Sequence, residues 1–105
     1  MPKVDIVKKS GKIKKPFTRY FLTKVDDYYI YLVIFKGDYD RHKHPTDEFF
    51  YVLKGEIRIE MDGKPEKVKK GEGFVVSKGT WHSSHSKRES LVMIFERMEL
   101  PTEFC

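Results

Sequence analysis

The stretch His42-Lys43-His44-Pro45-Thr46-Asp47-Glu48-Phe49-Phe50-Tyr51-Val52-Leu53-Lys54-Gly55 decides how this chain is read. Side chains two apart on a strand point the same way, so His42 and His44 present both rings on one face. Glu48 opens an aromatic and β-branched run that Lys54-Gly55 ends, which is the composition of a strand. A third histidine, His82, lies thirty-eight residues beyond His44, and the chain holds only 4 histidines in all. Imidazoles are common ligands of first-row transition metals, and a carboxylate adds the negative charge that helps hold a divalent ion. A small β-barrel that gathers His42, His44, Glu48 and His82 would deliver three nitrogens and a carboxylate to one metal.

Outward from that stretch, strand follows strand. Tyr28–Lys36 is aromatic and β-branched and ends at Gly37-Asp38. Glu56–Met61 alternates charged and apolar residues and stops at Asp62-Gly63, a hairpin signal. Pro65–Lys69, Phe74–Ser77, Trp81–His85 and Leu91–Arg97 complete the series. Upstream, Ile6, Ile13 and Arg19–Val25 are expected in edge strands, with Asp26-Asp27 as a turn. No helical stripe runs for ten residues, although Glu99–Phe104 suits one helical turn. Many short strands at regular spacing, separated by glycine turns, predict an all-β sandwich or barrel in a single domain over 1–105. Its core would lie at about 28–97, with edge strands in 1–27.

Alternation assigns faces. If Glu48 points inward, so do Phe50 and Val52, and beyond Gly55 the apolar face is Ile57, Ile59 and Met61. The lumen beyond the metal would then be mostly apolar. Phe49, Tyr51 and Leu53 lie on the opposite face and are apolar too, so that face must also be covered. The N-terminal segment or a second subunit would cover it. A homodimer is expected on the second choice, and light scattering that finds only a ~12.5 kDa particle would overturn it.

Composition narrows the classes. The net charge is +5, but the lysines are spread along the chain and read as a solvated face, not a nucleic-acid surface. Asn, Gln and Ala are absent while Lys and Glu are abundant, the habit of proteins from hot environments. There is no long apolar run and no hydrophobic N-terminal segment, so the expected location is the cytoplasm and no membrane partner is expected. The single cysteine, Cys105, is terminal and permits no internal disulfide; it is assigned no role. No Cys-x-x-Cys pair, phosphate-cradling glycine loop or Ser-His-Asp order is present.

Two motifs in order resemble the cupin superfamily. The first reads Gly37, four residues, His42-Lys43-His44, three residues, Glu48, six residues, Gly55. The second reads Gly71, five residues, Ser77-Lys78-Gly79, Thr80-Trp81, His82, three residues, Ser86, after a 15-residue gap. The spacer after Gly37 is one residue short, Ser77 replaces a proline and Ser86 an asparagine; none of these removes a ligand. The resemblance spans about Tyr28–Arg97. It implies a small single-domain double-stranded β-helix (the jelly-roll or cupin barrel), in which His42, His44, Glu48 and His82 bind one divalent metal such as Zn, Mn, Fe, Co or Ni. Small cupins include relatives of mannose-6-phosphate isomerase and dioxygenases.

Such a set leaves two positions of an octahedral ion open, which suits ligand capture better than stapling the fold. The expected partner is a small chelating molecule, handled either by a metal-dependent dioxygenase or isomerase or by a non-catalytic binding module. An apolar lumen argues against a sugar and for a small, partly apolar or aromatic ligand. Candidate pocket residues are Tyr39, Phe50, Val52, Ile57, Ile59, Met61 and Trp81. Arg41 and Lys43 are expected to face outward and would favour an anionic ligand if either reached the opening. By alternation from His82, His85 is expected outside the site. A Tyr, Lys, Arg or further His beside the open metal face would favour an enzyme over a binding module.

Overall fold

Two long strands organise the molecule. In the computed structural model, which describes residues 3–97 and 102–104, β2 (Tyr28–Lys43) and β7 (His82–Arg97) each run for 16 residues. They pair antiparallel along almost their whole length, from Tyr28↔Arg97 to His42↔His82. The register shifts between Phe35 and Gly37, where Phe35 faces Ser90 but Gly37 faces Ser86. Both strands bend there and pass from one layer of a sandwich to the other.

The first layer is β1 (Tyr20–Val25), the first half of β2, the second half of β7, β3 (Glu48–Lys54) and β6 (Gly73–Val76). The second is β8 (Glu103–Phe104), the second half of β2, the first half of β7, β4 (Glu56–Met61) and β5 (Lys64–Lys69). This is the all-β jelly-roll expected from the strand series. The expected stops at Gly37-Asp38 and between His85 and Leu91 are overturned, because a bulge lets one strand bend and continue. The β4–β5 hairpin forms as expected: Asp62 and Gly63 take φ of 50° and 74°, the positive pair a two-residue turn requires.

The core fills the space between the layers. Val33, Val52, Val76 and Val92 from the first pack against Ile57, Ile59 and Val68 from the second. Val52, Ile59 and Val92 are fully buried, and each such side chain contributes roughly 1.5–3 kcal/mol relative to an exposed one. A serine cluster secures the bend. Ser86 Oγ and Ser90 Oγ lie 2.8 Å apart, both within reach of the Glu56 carbonyl, and the Glu56 amide donates to Ser90 Oγ at 3.0 Å. Ser86 is buried, so the hydroxyl that stands in place of an asparagine ties this corner. Gly55 lets the chain approach it: a Cβ there, at φ +87°, would lie 2.4 Å from Ser90 Oγ.

The outer face of the first layer is also apolar, and the N-terminal segment covers part of it, leaving Val75 exposed. Val4, Ile6 and Ile13 pack with Leu53, Leu91, Met93 and Phe95 against Leu22, Ile30 and Leu32. The edge strand expected at Ile6 is a short helix, α1 (Ile6–Ser10), and Ile13 lies in no strand. Asp5 sets the helix by accepting the Lys8 amide at 3.0 Å, an N-cap that outweighs the β-branched Ile6 and Val7. The expected edge strand before Asp26 is present as β1. At the C-terminus, Glu103–Phe104 is a strand on β2 where a helical turn was expected, because the edge of β2 offers it a ladder. Residues 98–101 and Cys105, which carry the rest of that expectation, lie outside the described residues. Among those described, no helix is long and apolar enough to cross a membrane.

Candidate metal centre

His42 stands near the end of β2, His82 opens β7 directly opposite it, and Glu48 opens β3. Each long-strand histidine is fixed by its own backbone. His42 Nδ1 donates to the Asp40 carbonyl at 2.7 Å, and His82 Nδ1 donates to the Thr80 carbonyl at 2.9 Å. A carbonyl only accepts, so Nδ1 carries the proton in both rings and Nε2 keeps its lone pair. His44, just past the end of β2, meets Thr102 Oγ1 with Nδ1 at 3.2 Å. The ligand atoms of His42, His44 and His82 lie within 4.8 Å of one another.

Glu48 faces these rings. Its carboxylate oxygens lie 3.8 Å from His44 Nε2 and 3.7 Å from His82 Nε2. Two of these atoms, Glu48 Oε1 and His82 Nε2, are buried with no hydrogen-bond partner among the described residues. Leaving a buried acceptor unmatched costs about 1–3 kcal/mol, so two in contact mark a place built for something that accepts lone pairs. A divalent cation satisfies both at once. A proton between them would satisfy them only by charging a ring or neutralising the acid. The donor set therefore fits a metal ion.

Burial sets the protonation states. It pushes the pKa of His42 and His82 down, and that of His44 down to about 4, with His42 and His82 adding to the last effect. The rings are accordingly neutral at pH 7, the form that binds metals. Burial raises Glu48. Directly opposite it in register stands Glu96, on β7. Burial and the hydrogen bond with Glu48 push Glu96 up to about 8, so the two carboxyls share a proton. Arg19 Nη1 reaches Glu96 Oε1 at 3.2 Å and partly offsets the rise. Atoms of His44, Glu48 and Glu96 also lie within 4.8 Å of one another.

The cavity in front of these groups measures about 500 Å³, counting its open mouth. Phe17, Val33, Phe35 and Ile94 form its apolar wall; Arg19, Tyr39, Ser84, Glu96 and Thr102 supply polar atoms. Of the expected pocket residues, Tyr39 lines it, its ring 5.0 Å from that of His42. Phe50, Val52, Ile57 and Ile59 instead belong to the core beneath, with Met61 packed against it. The reason is that the two layers close on each other there and leave no lumen. Trp81 lies under Arg41 and Lys43, whose charged ends sit 5.7 and 4.7 Å from its ring centre, and is not in the cavity lining. His85 is held by Asp38 and is likewise outside that lining.

Several site residues escaped the reading of the sequence, Glu96, Arg19 and Thr102 among them. Glu96 carried a usable signal, since Val92, Ile94 and Glu96 alternate inward and a carboxylate ends an apolar series. Arg19 carried none: it precedes β1 and reaches the cavity only through the packing of the N-terminal segment. The expectation of a mostly apolar lumen is corrected by both.

Comparison with known proteins agrees with this architecture. A family model described as "Cupin domain" (Cupin_2) matches residues 32–95. Over 95 residues the chain is 30% identical to "Uncharacterized protein YdbB" of Bacillus subtilis, covering 89% of this chain and 84% of that protein. Over 63 residues it is 38% identical to 3-hydroxyanthranilate 3,4-dioxygenase of Bacillus thuringiensis, covering 55% of this chain but only 35% of that enzyme. Among solved structures, a cupin-2 domain containing protein from Shewanella frigidimarina superposes with a TM-score of 0.88 at 27% identity, over 90% of this chain and 94% of that one.

Proposed function

The chain belongs to the cupin family, and on that footing we propose that it holds one divalent transition-metal ion on His42, His44, Glu48 and His82 and acts on a small chelating ligand. The observation that carries this reading is the pair of buried, unpartnered atoms, Glu48 Oε1 and His82 Nε2, facing each other among neutral imidazoles. Three nitrogens and one carboxylate suit Zn, Mn, Fe, Co and Ni alike. The open positions of the ion would face the cavity, where a ligand with two neighbouring oxygens would reach them. When bound, the ion supplies Lewis-acid or dioxygen chemistry.

The protein's own groups do the rest. The carbonyls of Asp40 and Thr80 and the hydroxyl of Thr102 orient the rings. Phe17, Val33, Phe35 and Ile94 exclude water from one side of the ligand. Tyr39, Arg19 and Glu96 place hydrogen-bonding and proton-carrying groups on the same cavity, which favours catalysis over passive binding. Similarity to a 3-hydroxyanthranilate 3,4-dioxygenase over part of its length supports oxygen-dependent cleavage of a hydroxylated aromatic as the reaction class.

Elemental analysis of protein purified without chelator is expected to find about one transition-metal ion per chain. Protein loaded with Fe(II) is then expected to consume oxygen only when a hydroxylated aromatic is added. Full metal occupancy with no oxygen uptake across such a panel would leave a non-catalytic binding module. Absence of any metal would remove the reading altogether.

A further inference from the structure

We propose that Arg19 makes this cavity a receptor for a carboxylate, so that its ligand is a small planar organic acid. The inference deepens the metal reading and rests on it for the chelating half of the ligand. Arg41 and Lys43, the cations nearest in sequence to the histidines, are placed over Trp81, outside the cavity lining. Among the described residues, Arg19 is the one arginine or lysine that lines this cavity, together with His42, His44, Glu48 and Glu96.

Its guanidinium is both held and available. One nitrogen, Nη1, contacts Glu96 at 3.2 Å, and the group rests 5.3 Å from the centre of the Tyr31 ring. These contacts fix its direction. The side chain stays about half exposed, at 52%, whereas Glu96 is at 10%. A guanidinium carries five N–H donors in a rigid fork that matches a carboxylate. The Glu96 contact and a hydrogen bond to the Tyr31 hydroxyl use part of the fork and leave further donors for a ligand.

Charge and shape point the same way. A dication and Arg19 against Glu48 and Glu96 leave an excess of one positive charge facing the cavity, even with both acids ionised. An anion neutralises that excess in a low-dielectric site, whereas a neutral ligand does not. In the same lining, Phe17 lies 5.1 Å from Phe35 and 5.1 Å from Tyr39, centre to centre, and these rings form an aromatic wall. A flat ring gains contact area there that a globular or heavily hydroxylated molecule forgoes.

Salicylate and its neutral counterpart, 2-hydroxybenzyl alcohol, test the assignment by calorimetry on zinc-loaded protein whose metal content is measured first. Native protein is expected to prefer salicylate at least about tenfold, the scale of a charge-assisted pair. Arg19→Met is expected to lose most of that preference, with zinc content and affinity for the alcohol unchanged; Arg19→Gln replaces it if the methionine variant does not fold. A preference that survives in the variant belongs to the metal and overturns the assignment. So does native protein that fails to bind salicylate or to discriminate. If native protein takes up no zinc, the metal reading has failed, and the same comparison on metal-free protein still decides the role of Arg19.

Discussion

Glu48→Gln is expected to weaken metal binding by more than about 100-fold while making the metal-free protein more stable. Changes to groups that merely orient metal ligands cost 10–100-fold, so removing the one anionic ligand costs more. The stability change has the opposite sign because the same carboxylate is a burden without a metal. It is buried beside a second carboxyl, Glu96, and its oxygen Oε1 lacks a partner among the described residues. Glutamine keeps the shape, has no charge to desolvate, and leaves Glu96 free to ionise against Arg19 at 3.2 Å. A gain of about 1 kcal/mol corresponds to roughly 4–8 °C in Tm for a domain this small. Calorimetric melting with and without zinc measures both effects. A variant that binds zinc as tightly as the native protein would show that Glu48 is not a ligand, and a lower metal-free Tm would show that its charge is accommodated.

The second large effect is a stability maximum of the metal-free protein near pH 6–7, with losses on both sides. On the alkaline side Glu96 governs. Its folded pKa, about 8, is raised from an ordinary 4.5, so the stability it contributes is fully present below pH 4.5 and is lost as pH rises towards 8. On the acid side the histidines govern. Their folded pKa values are depressed from 6.5, to about 4 for His44, so the stability they contribute is present above pH 6.5 and lost as pH falls towards 4. Between 4.5 and 6.5 three rings oppose one shared carboxyl pair, and the rings prevail. Zinc lessens the alkaline loss by occupying Glu48, and at 100 times its Kd it adds about 2.7 kcal/mol, or roughly 10–20 °C in Tm. Melting temperatures across pH 4–9, with and without zinc, check the curve. A metal-free Tm that keeps rising from pH 6.5 to 8 would show that Glu48 and Glu96 do not share a proton. In Glu48→Gln the alkaline limb is expected to shrink, because burial alone still raises Glu96, which ties the two results together.

The aromatic wall bears on function through its origin. Phe17 comes from the segment before β1, Phe35 from the bend of β2 and Tyr39 from beyond it. Arg19 arrives with Phe17. The N-terminal segment thus covers part of the outer apolar face with Val4, Ile6 and Ile13 and furnishes one wall of the cavity a few residues later. Covering the sheet and building the ligand site are consequences of one path of the chain.

What could be read from the sequence were the features whose causes are local. Alternation assigned Glu48, Phe50 and Val52 to one face of β3 and Ile57 and Ile59 to one face of β4, because a strand repeats every two residues whatever surrounds it. Asp62-Gly63 specified its hairpin through the φ values those residues tolerate. Histidine spacing picked out His42, His44 and His82, whose ring nitrogens lie within 4.8 Å of one another. Tertiary structure alone decided the rest. Whether Gly37 ends a strand or lets it bend depends on β7 being there to pair with both halves of β2. Whether an inward apolar residue lines a lumen or fills a core depends on how closely the opposite layer approaches. Glu96 faces Glu48 across a ladder that joins residues forty-eight positions apart, and Arg19 meets both from a third segment. Sequence periodicity carries no record of such encounters, since they are set by where chain-distant segments pack, and that is where the chemistry of the cavity was decided.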